Sequence, residues 1–382
     1  MSEPRIPLSD LDYGADEEAA VVRVLRSGWL SMGPEVESFE AESRDFWGVR
    51  HAIAVSSGTA ALHIGLMAAG VGAGDEVIQP AVNFVAAANM TLAVGARPVF
   101  ADLVGLAEPN LNPVDVENLI TPRTKAVVCL HYGGHACRLE ALLGICRERG
   151  IRLIEDACHA PGARLPASRS STLGPMLGTI GDAGCFSFFS NKNLATGEGG
   201  LLVTDNDALA DQARRLRSHG MTTLTWERFL GHATGYDVEV PGYNYRLDEI
   251  HAALGRVQLA KLTTNNLRRH HLVSIYVESF RDLPGWLVPF AEDEAGADHL
   301  MVVVAPDRPS RQRVVAGLAE DGIQTSNHYP CIPDFTAFAA WQGADVGIAR
   351  EFAARAITLP LFPSLTESDV QRICRVVRGF AA

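Results

Sequence analysis

The chain has 382 residues, 47% of them apolar and 20% charged, which is the composition of an ordinary globular protein with a sizeable core. A net charge of −12 with no compensating basic run excludes broad binding to nucleic acid or to an anionic membrane. Seven cysteines, odd in number and without a CxxC pair, suggest neither a disulfide framework nor a zinc site, and no metal is expected.

The opening stretch "MSEPRIPLSDLDYGADEE" is acidic and lacks a hydrophobic signal core, so a cytoplasmic location is the default expectation. From about residue 50 to 205, short β-branched apolar runs alternate with helix-like stretches. That alternation is the pattern of a parallel sheet covered on both faces. The strands read as "HAIAVS", "DEVIQPA", "RPVFADL", "KAVVCLHY", "IRLIEDA", "GCFSFF" and "GLLVT". Between them "TAALHIGLMAAG", "FVAAANMTLAVG", "PVDVENLI" and "LEALLGICRERG" read as helices. The uncharged run "VIQPAVNFVAAANMTLAVGA" reaches membrane-span length, but Pro80, Asn83 and Asn89 make it a buried strand followed by a buried helix. Farther on, "RLDEIHAALGRVQLAKLTTNNLRRHHLVSIYVESFRDL" has helical spacing and no proline before Pro284, which predicts a long bridging helix. Beyond it "HLMVVVAP", "QRVVAGLAEDG" and "TESDVQRICRVVRGF" read as a small α+β domain. The arginine clusters "RRLR" and "LRRHH" read as solvated faces or interface.

Lysine occurs only at Lys125, Lys192 and Lys261, while arginine supplies the other positive charge. Arginine stays protonated and is a poor nucleophile; an amine on a flexible stem can form a Schiff base. Lys192, in "GDAGCFSFFSNKNLATGEGGLLVTDN", therefore reads as chemistry, with a loop lysine snorkelling beside a strand end as the alternative. Ligands of open α/β sheets bind at the carboxyl ends of the strands. There "SSGTAAL" offers Gly58, the Thr59 hydroxyl and the first amides of a helix, which is a phosphate seat or an ordinary helix cap. "LIEDACHAPGA" puts Glu155 and Asp156 at a strand end, where a carboxylate either pairs within the fold or holds a protonated heterocycle nitrogen. Phe84 covers an aromatic ring or belongs to the core. Singly none of these decides anything. Together they describe a pocket for a phosphorylated aromatic aldehyde, and pyridoxal 5'-phosphate (PLP) meets that description.

Across nearly its whole length, from "LRSGWLSMGPEVESFE" through "SSGTAALH", "GDEVIQP", "EDACHAPGA", "GDAGCFSFFSNKNLATGEGG" and "GYNYRLDEIHAALGRVQL", the chain resembles the DegT/DnrJ/EryC1/StrS sugar aminotransferases. The resemblance implies the fold type I of PLP-dependent transferases: an α/β fold whose large domain holds a mostly parallel seven-stranded sheet between helices, followed by a small C-terminal α+β domain. On that pattern residues 1–255 form the PLP-binding domain, residues 256–382 the small domain, and residues 1–30 are free to pack on the latter. Lys192 matches the Schiff-base lysine and Asp156 the partner of the pyridine nitrogen. Thr59 and Ser187 match phosphate contacts, beside the backbone of Gly58 to Ala60. Phe84 matches the aromatic stacked on the ring, and His159 stands near the ring's other edge. Asn244 matches a phosphate contact reaching in from a second subunit, which implies a homodimer with shared active sites.

The implied activity moves an amino group from L-glutamate or L-glutamine to a keto-sugar, such as a nucleotide-linked 3- or 4-keto-6-deoxyhexose, in amino-sugar or antibiotic biosynthesis. Pyridoxamine 5'-phosphate is the intermediate cofactor form, and donor and acceptor alternate in one site. A keto-cyclitol acceptor is the nearest alternative, and a non-catalytic binder of cofactor or sugar is the alternative from another class. Arg246 and "SNHYP" (326–330) are places to seek contacts with an anionic substrate. Three features depart from the common pattern: Asn191 stands where threonine is frequent before the lysine, the 164–178 loop is longer, and Trp226, Arg228 and His232 receive no role.

Overall fold

A computed structural model of the chain describes residues 6–165, 174–223, 226, 229, 231, 234–341 and 344–381. The seven apolar runs form β1 (His51–Val55), β2 (Glu76–Pro80), β3 (Arg97–Ala101), β4 (Thr124–Leu130), β5 (Arg152–Asp156), β6 (Ala183–Ser187) and β7 (Gly200–Thr204). They make one sheet in the order β1-β7-β6-β5-β4-β2-β3. Only β7 runs antiparallel to its neighbours, β1 and β6. The remaining pairs are parallel, so the loops after β2, β4, β5 and β6 open on one edge.

Helices α1 (Ala15–Ser27) and α2 (Pro34–Trp47) precede the sheet, and α3 (Gly58–Ala68), α4 (Ala86–Ala93), α5 (Pro113–Leu119) and α6 (Leu139–Arg149) cross between strands. After β7 come α7 (Asp207–Arg217) and the long α8 (Glu249–Phe280). One face of the sheet packs on α3 and α7 through Ile53, Leu62, Leu66, Leu209 and Leu216. The other packs on α2, α6 and α8 through Phe39, Trp47, Leu142, Leu259 and Leu262. Covered on both sides, the strands need no polar alternation, which is why they are legible as continuous apolar runs. The uncharged run after residue 77 becomes the end of β2 and then α4; among the described residues no helix is long and apolar enough to cross a membrane.

Asp248 caps α8 by accepting the His251 amide at 2.9 Å. The first half of the helix lies on α1 and α2, while Leu272, Tyr276 and Phe280 in its second half enter a separate core. That core is completed by β8 (Met301–Val304), α9 (Arg308–Glu320), α10 (Gly347–Arg355), β9 (Ala356–Leu359) and α11 (Glu367–Ala381), with β8 and β9 antiparallel. The N-terminal segment joins it too: Ile6 pairs with Ile323, and the Leu361 amide donates to the Leu8 carbonyl at 3.1 Å. A further apolar cluster, with Val82, Leu130 and Tyr132 on one side and Val302, Phe338 and Phe352 on the other, holds the C-terminal part against the sheet edge.

Two arginines of the clusters read as solvated are in fact buried. Arg217 pairs with Glu40 and donates to the Ala54 carbonyl. Arg269 donates to the Leu361 carbonyl at 3.0 Å, and burial pushes its pKa down to about 10. Helical spacing explains both: each faces inward on a helix whose neighbouring arginines face out.

Candidate active site

Strand ends gather a cavity of about 440 Å³. Ser57, Gly58 and Thr59 come from the β1–α3 junction, Asn83 and Phe84 from the loop after β2, and Asp156, Cys158 and His159 from the end of β5. Ser187 ends β6, Lys192 follows it, and His328 and Tyr329 close the cavity from the C-terminal part.

The α3 end of the cavity is shaped by absent side chains. A Cβ on Gly58 would lie 2.7 Å from the Ser187 Cβ, and one on Gly200 would lie 2.4 Å from the Ser57 carbonyl. Glycine at both positions lets the helix N-terminus sit directly on β6 and β7. The Ser57 hydroxyl accepts the Ala60 amide at 3.0 Å, so the amides of Gly58 and Thr59 are the ones left to face an anion.

Strand alternation separates the two adjacent carboxylates of β5. Asp156 points into the cavity, where its Oδ2 accepts from Asn83 Nδ2 at 2.9 Å and its Oδ1 from the Cys158 amide at 3.3 Å. Glu155 points into the core and accepts the amides of Gly178, Ile180 and Gly181 at 2.8, 2.7 and 2.6 Å, together with His131 Nε2 at 2.9 Å. Burial opposes its ionisation, yet His131 and the amides hold its pKa below the usual range. Glu155→Ala is therefore expected to cost about 3–5 kcal/mol of stability by stranding those donors, measured by urea unfolding; a loss under 1 kcal/mol, on the order of a surface pair, would refute the assignment. The fold also brings Cys129, His131 and Cys137 together with ligand atoms within 4.8 Å, a cluster the sequence spacing did not suggest. Both His131 nitrogens are engaged, Nε2 by Glu155 and Nδ1 by the Cys137 amide at 3.3 Å.

Lys192 sits in a turn closed by its own amide on the Phe189 carbonyl at 2.8 Å. Burial lowers the pKa of its amine, with Cys158 and Asp156 opposing. His159 is 1% exposed, and burial and then Lys192 push its pKa well below the ordinary value, so the ring is neutral. Its Nδ1 accepts the Gly133 amide at 3.3 Å, which leaves Nε2–H to donate to the Tyr329 hydroxyl at 2.8 Å. The two rings stack with centroids 5.7 Å apart. Behind Lys192, His299 Nε2 lies 3.4 Å from Nζ.

The cavity thus brings together Gly58, Thr59, Phe84, Asp156, His159, Ser187 and Lys192. Ala60 is buried behind it, and Asn244 is exposed, pairs with Ser218 and does not line it. Arg246 does not line it either; its Nη1 is buried without a hydrogen-bond partner. Trp226 stacks on Phe229 with centroids 5.5 Å apart and packs at a tilt against Trp29 at 4.8 Å. Arg228, His232 and residues 166–173 of the long loop lie outside the described residues. Sequence reasoning did not single out Asn83 as an orienting group or His299 at all. The adjacency of Asn83 to Phe84 in "VNF" was the one signal available for the former.

These residues fit PLP. Two free amides and two hydroxyls at a glycine-lined helix end could hold its phosphate, Asp156 its ring nitrogen, and Lys192 its aldehyde. The sheet, the helix arrangement and such a cavity define a PLP-dependent transferase of fold type I. A family profile described as the DegT/DnrJ/EryC1/StrS aminotransferase family matches residues 12–378, and the chain belongs to that family of enzymes. It is 39% identical to the spore coat polysaccharide biosynthesis protein SpsC of Bacillus subtilis, over 98% of this chain and 96% of that one. Among solved structures it is similar to DesV of S. venezuelae in complex with a ketimine intermediate, at 34% identity and a TM-score of 0.90 over 99% of both chains. It is also similar to DesI in the presence of its TDP-sugar product, at 29% identity and a TM-score of 0.87, over 100% of this chain and 94% of that one. PLP is the cofactor the family implies.

Proposed function

We propose that this protein is a PLP-dependent sugar aminotransferase that takes an amino group from L-glutamate or L-glutamine and gives it to a nucleotide-linked keto-sugar, a 3- or 4-keto-6-deoxyhexose. The observation that carries the chemistry is the half-buried Lys192 sharing one cavity with the Asp156 carboxylate and the α3 N-terminus. The TDP-sugar of DesI and the polysaccharide role of SpsC support the acceptor class. When bound, PLP withdraws electrons from the donor's α-carbon and so makes its proton acidic. Lys192, eased toward the free base by burial, takes that proton and returns it, acting as general base and then acid. Asn83 and the Cys158 amide fix the Asp156 carboxylate, and the neutral His159 adds no competing charge. The experiment is to add L-glutamate or L-glutamine to PLP-loaded protein and follow the visible absorption together with release of the 2-oxo acid. Loss of the band with stoichiometric 2-oxo acid supports the reading; a band that no common amino donor moves would overturn it.

The active assembly is proposed to be a homodimer in which Asn244 of one subunit completes the phosphate end of the other. Asn244 is exposed in its own chain, and Phe84 and Phe189 at the cavity are 57% and 46% exposed, an apolar mouth suited to cover by a second copy. Sedimentation should give twice the 41.0 kDa chain mass. Asn244→Ala should stay dimeric and hold PLP about tenfold more weakly, the effect of one lost hydrogen bond to a charged group. A monomer with full activity would sink the proposal.

A further inference from the structure

We infer that His299 is a positioning residue for Lys192, holding its free amine through Nε2 in a tautomer fixed by Asn193. The inference rests on the reading of Lys192 as the cofactor-bearing lysine. Asn193 Nδ2 donates to the Ala297 carbonyl at 2.7 Å and to Asn266 Oδ1 at 2.9 Å. Both amide protons are thereby used, and the orientation of the group is set: Oδ1 faces His299 Nδ1 at 3.0 Å. Since Oδ1 can only accept, Nδ1 carries the ring proton. Nε2 is then a bare lone pair, 3.4 Å from Lys192 Nζ, and the amine donates to it.

The ring is in no position to compete for the proton itself. His299 is 5% exposed, its amide donates to the Gly133 carbonyl at 2.7 Å, and burial, Lys192, His159, Arg269 and His328 push its pKa well below the ordinary value. Around Lys192 the titratable groups are Asp156, Cys158, His159, Glu198, His328 and Tyr329 in the cavity and His299 behind it, and the three rings all stay neutral. A neutral acceptor confines the amine's lone pair to the remaining staggered positions. It also favours the ammonium form over the free amine, because a hydrogen bond from a charged donor is the stronger one. Burial lowers the lysine's pKa; His299 limits how far it falls and where the freed amine points.

The scarcity of lysine makes this measurable without any turnover. Cofactor-free protein carrying ¹³Cε-lysine has three side-chain signals, from Lys125, Lys192 and Lys261, and the Lys192→Arg variant assigns the one of interest. His299→Asn retains a polar atom at the Nδ1 position and removes Nε2; His299→Gln supplies an atom at Nε2. In the Asn variant the Lys192 signal should titrate about one pH unit lower than in the parent, while Lys125 and Lys261 stay unchanged. In the Gln variant it should remain within a few tenths of a unit of the parent, about the precision of such titrations. An unshifted Lys192 in the Asn variant, or equal movement of all three lysines, would overturn the inference, as would equal shifts in the two variants. Borohydride reduction of PLP-loaded protein followed by peptide mass analysis reports separately on the underlying reading: a label elsewhere than Lys192 would refute that reading and leave the titration result standing.

Discussion

Lys192→Ala is expected to lose transamination by about 10⁴-fold or more, because on the proposed assignment one change removes both the amine that bonds the cofactor and the base that moves the α-proton. No other lysine can take over. Lys125 is exposed near the start of β4, at the far end of the strand from the cavity, and Lys261 is paired with Glu17 at 2.8 Å. The fold should survive, since among the described residues the Lys192 side chain makes a single hydrogen bond, to His299, and anchors no buried charge network. Single-turnover measurements with L-glutamate, with far-UV circular dichroism as the folding control, check both halves. A small primary amine such as methylamine should restore part of the proton transfer if the missing function is a base at that place. Parental rates in the alanine variant would end the assignment of this lysine.

Asp156→Ala is expected to reduce kcat/KM for the donor by about 10³-fold and to weaken PLP retention, a larger effect on chemistry than on stability. The carboxylate is 4% exposed and among the described residues accepts from Asn83 and Cys158 alone, so its loss strands one amide side chain, not a network. Asp156→Asn separates charge from shape: it preserves the size of the group but cannot hold a protonated ring nitrogen, and should be nearly as inactive. Comparison with Glu155→Ala is informative because the residues are adjacent. The Glu155 variant should lose stability and the Asp156 variants turnover; the opposite outcome would mean that the facing of β5 has been misassigned.

The sheet was legible because both of its faces are buried. Each strand could be recognised from a short apolar run, and α3, α4, α5 and α6 lay between runs already placed. Helices α1, α2 and α7 were harder to see: "PEVESFEAESRDFW" buries only Val36, Phe39, Ser43 and Trp47 of α2, and charged residues dominate its remainder. In the cavity, Lys192, Asp156 and Ser187 were accessible from strand ends and family blocks. The contacts that set their chemistry were not, because they join distant parts of the chain. Asn83 meets Asp156 across 73 residues, Asn193 meets His299 across 106, and His159 meets Tyr329 across 170. Local periodicity carries no information about such pairs. Glu155 shows the same limit at short range, since only knowledge of which face of β5 meets the cavity distinguishes it from its neighbour.

The long helix α8 has a mechanical consequence. Its first half is embedded in the core beside the sheet and its second half in the core of the C-terminal part. Between Leu262 and Leu272 there is neither proline nor glycine, the usual places where a helix bends. The helix is therefore a stiff spar joining the walls of the cavity, Asp156 and Lys192 on one side and His328 and Tyr329 on the other. Prising those walls apart would require breaking α8 or tearing one half of it from its core. The width of the cavity is thus set by the helix, and a ligand meets walls whose spacing is fixed before it arrives.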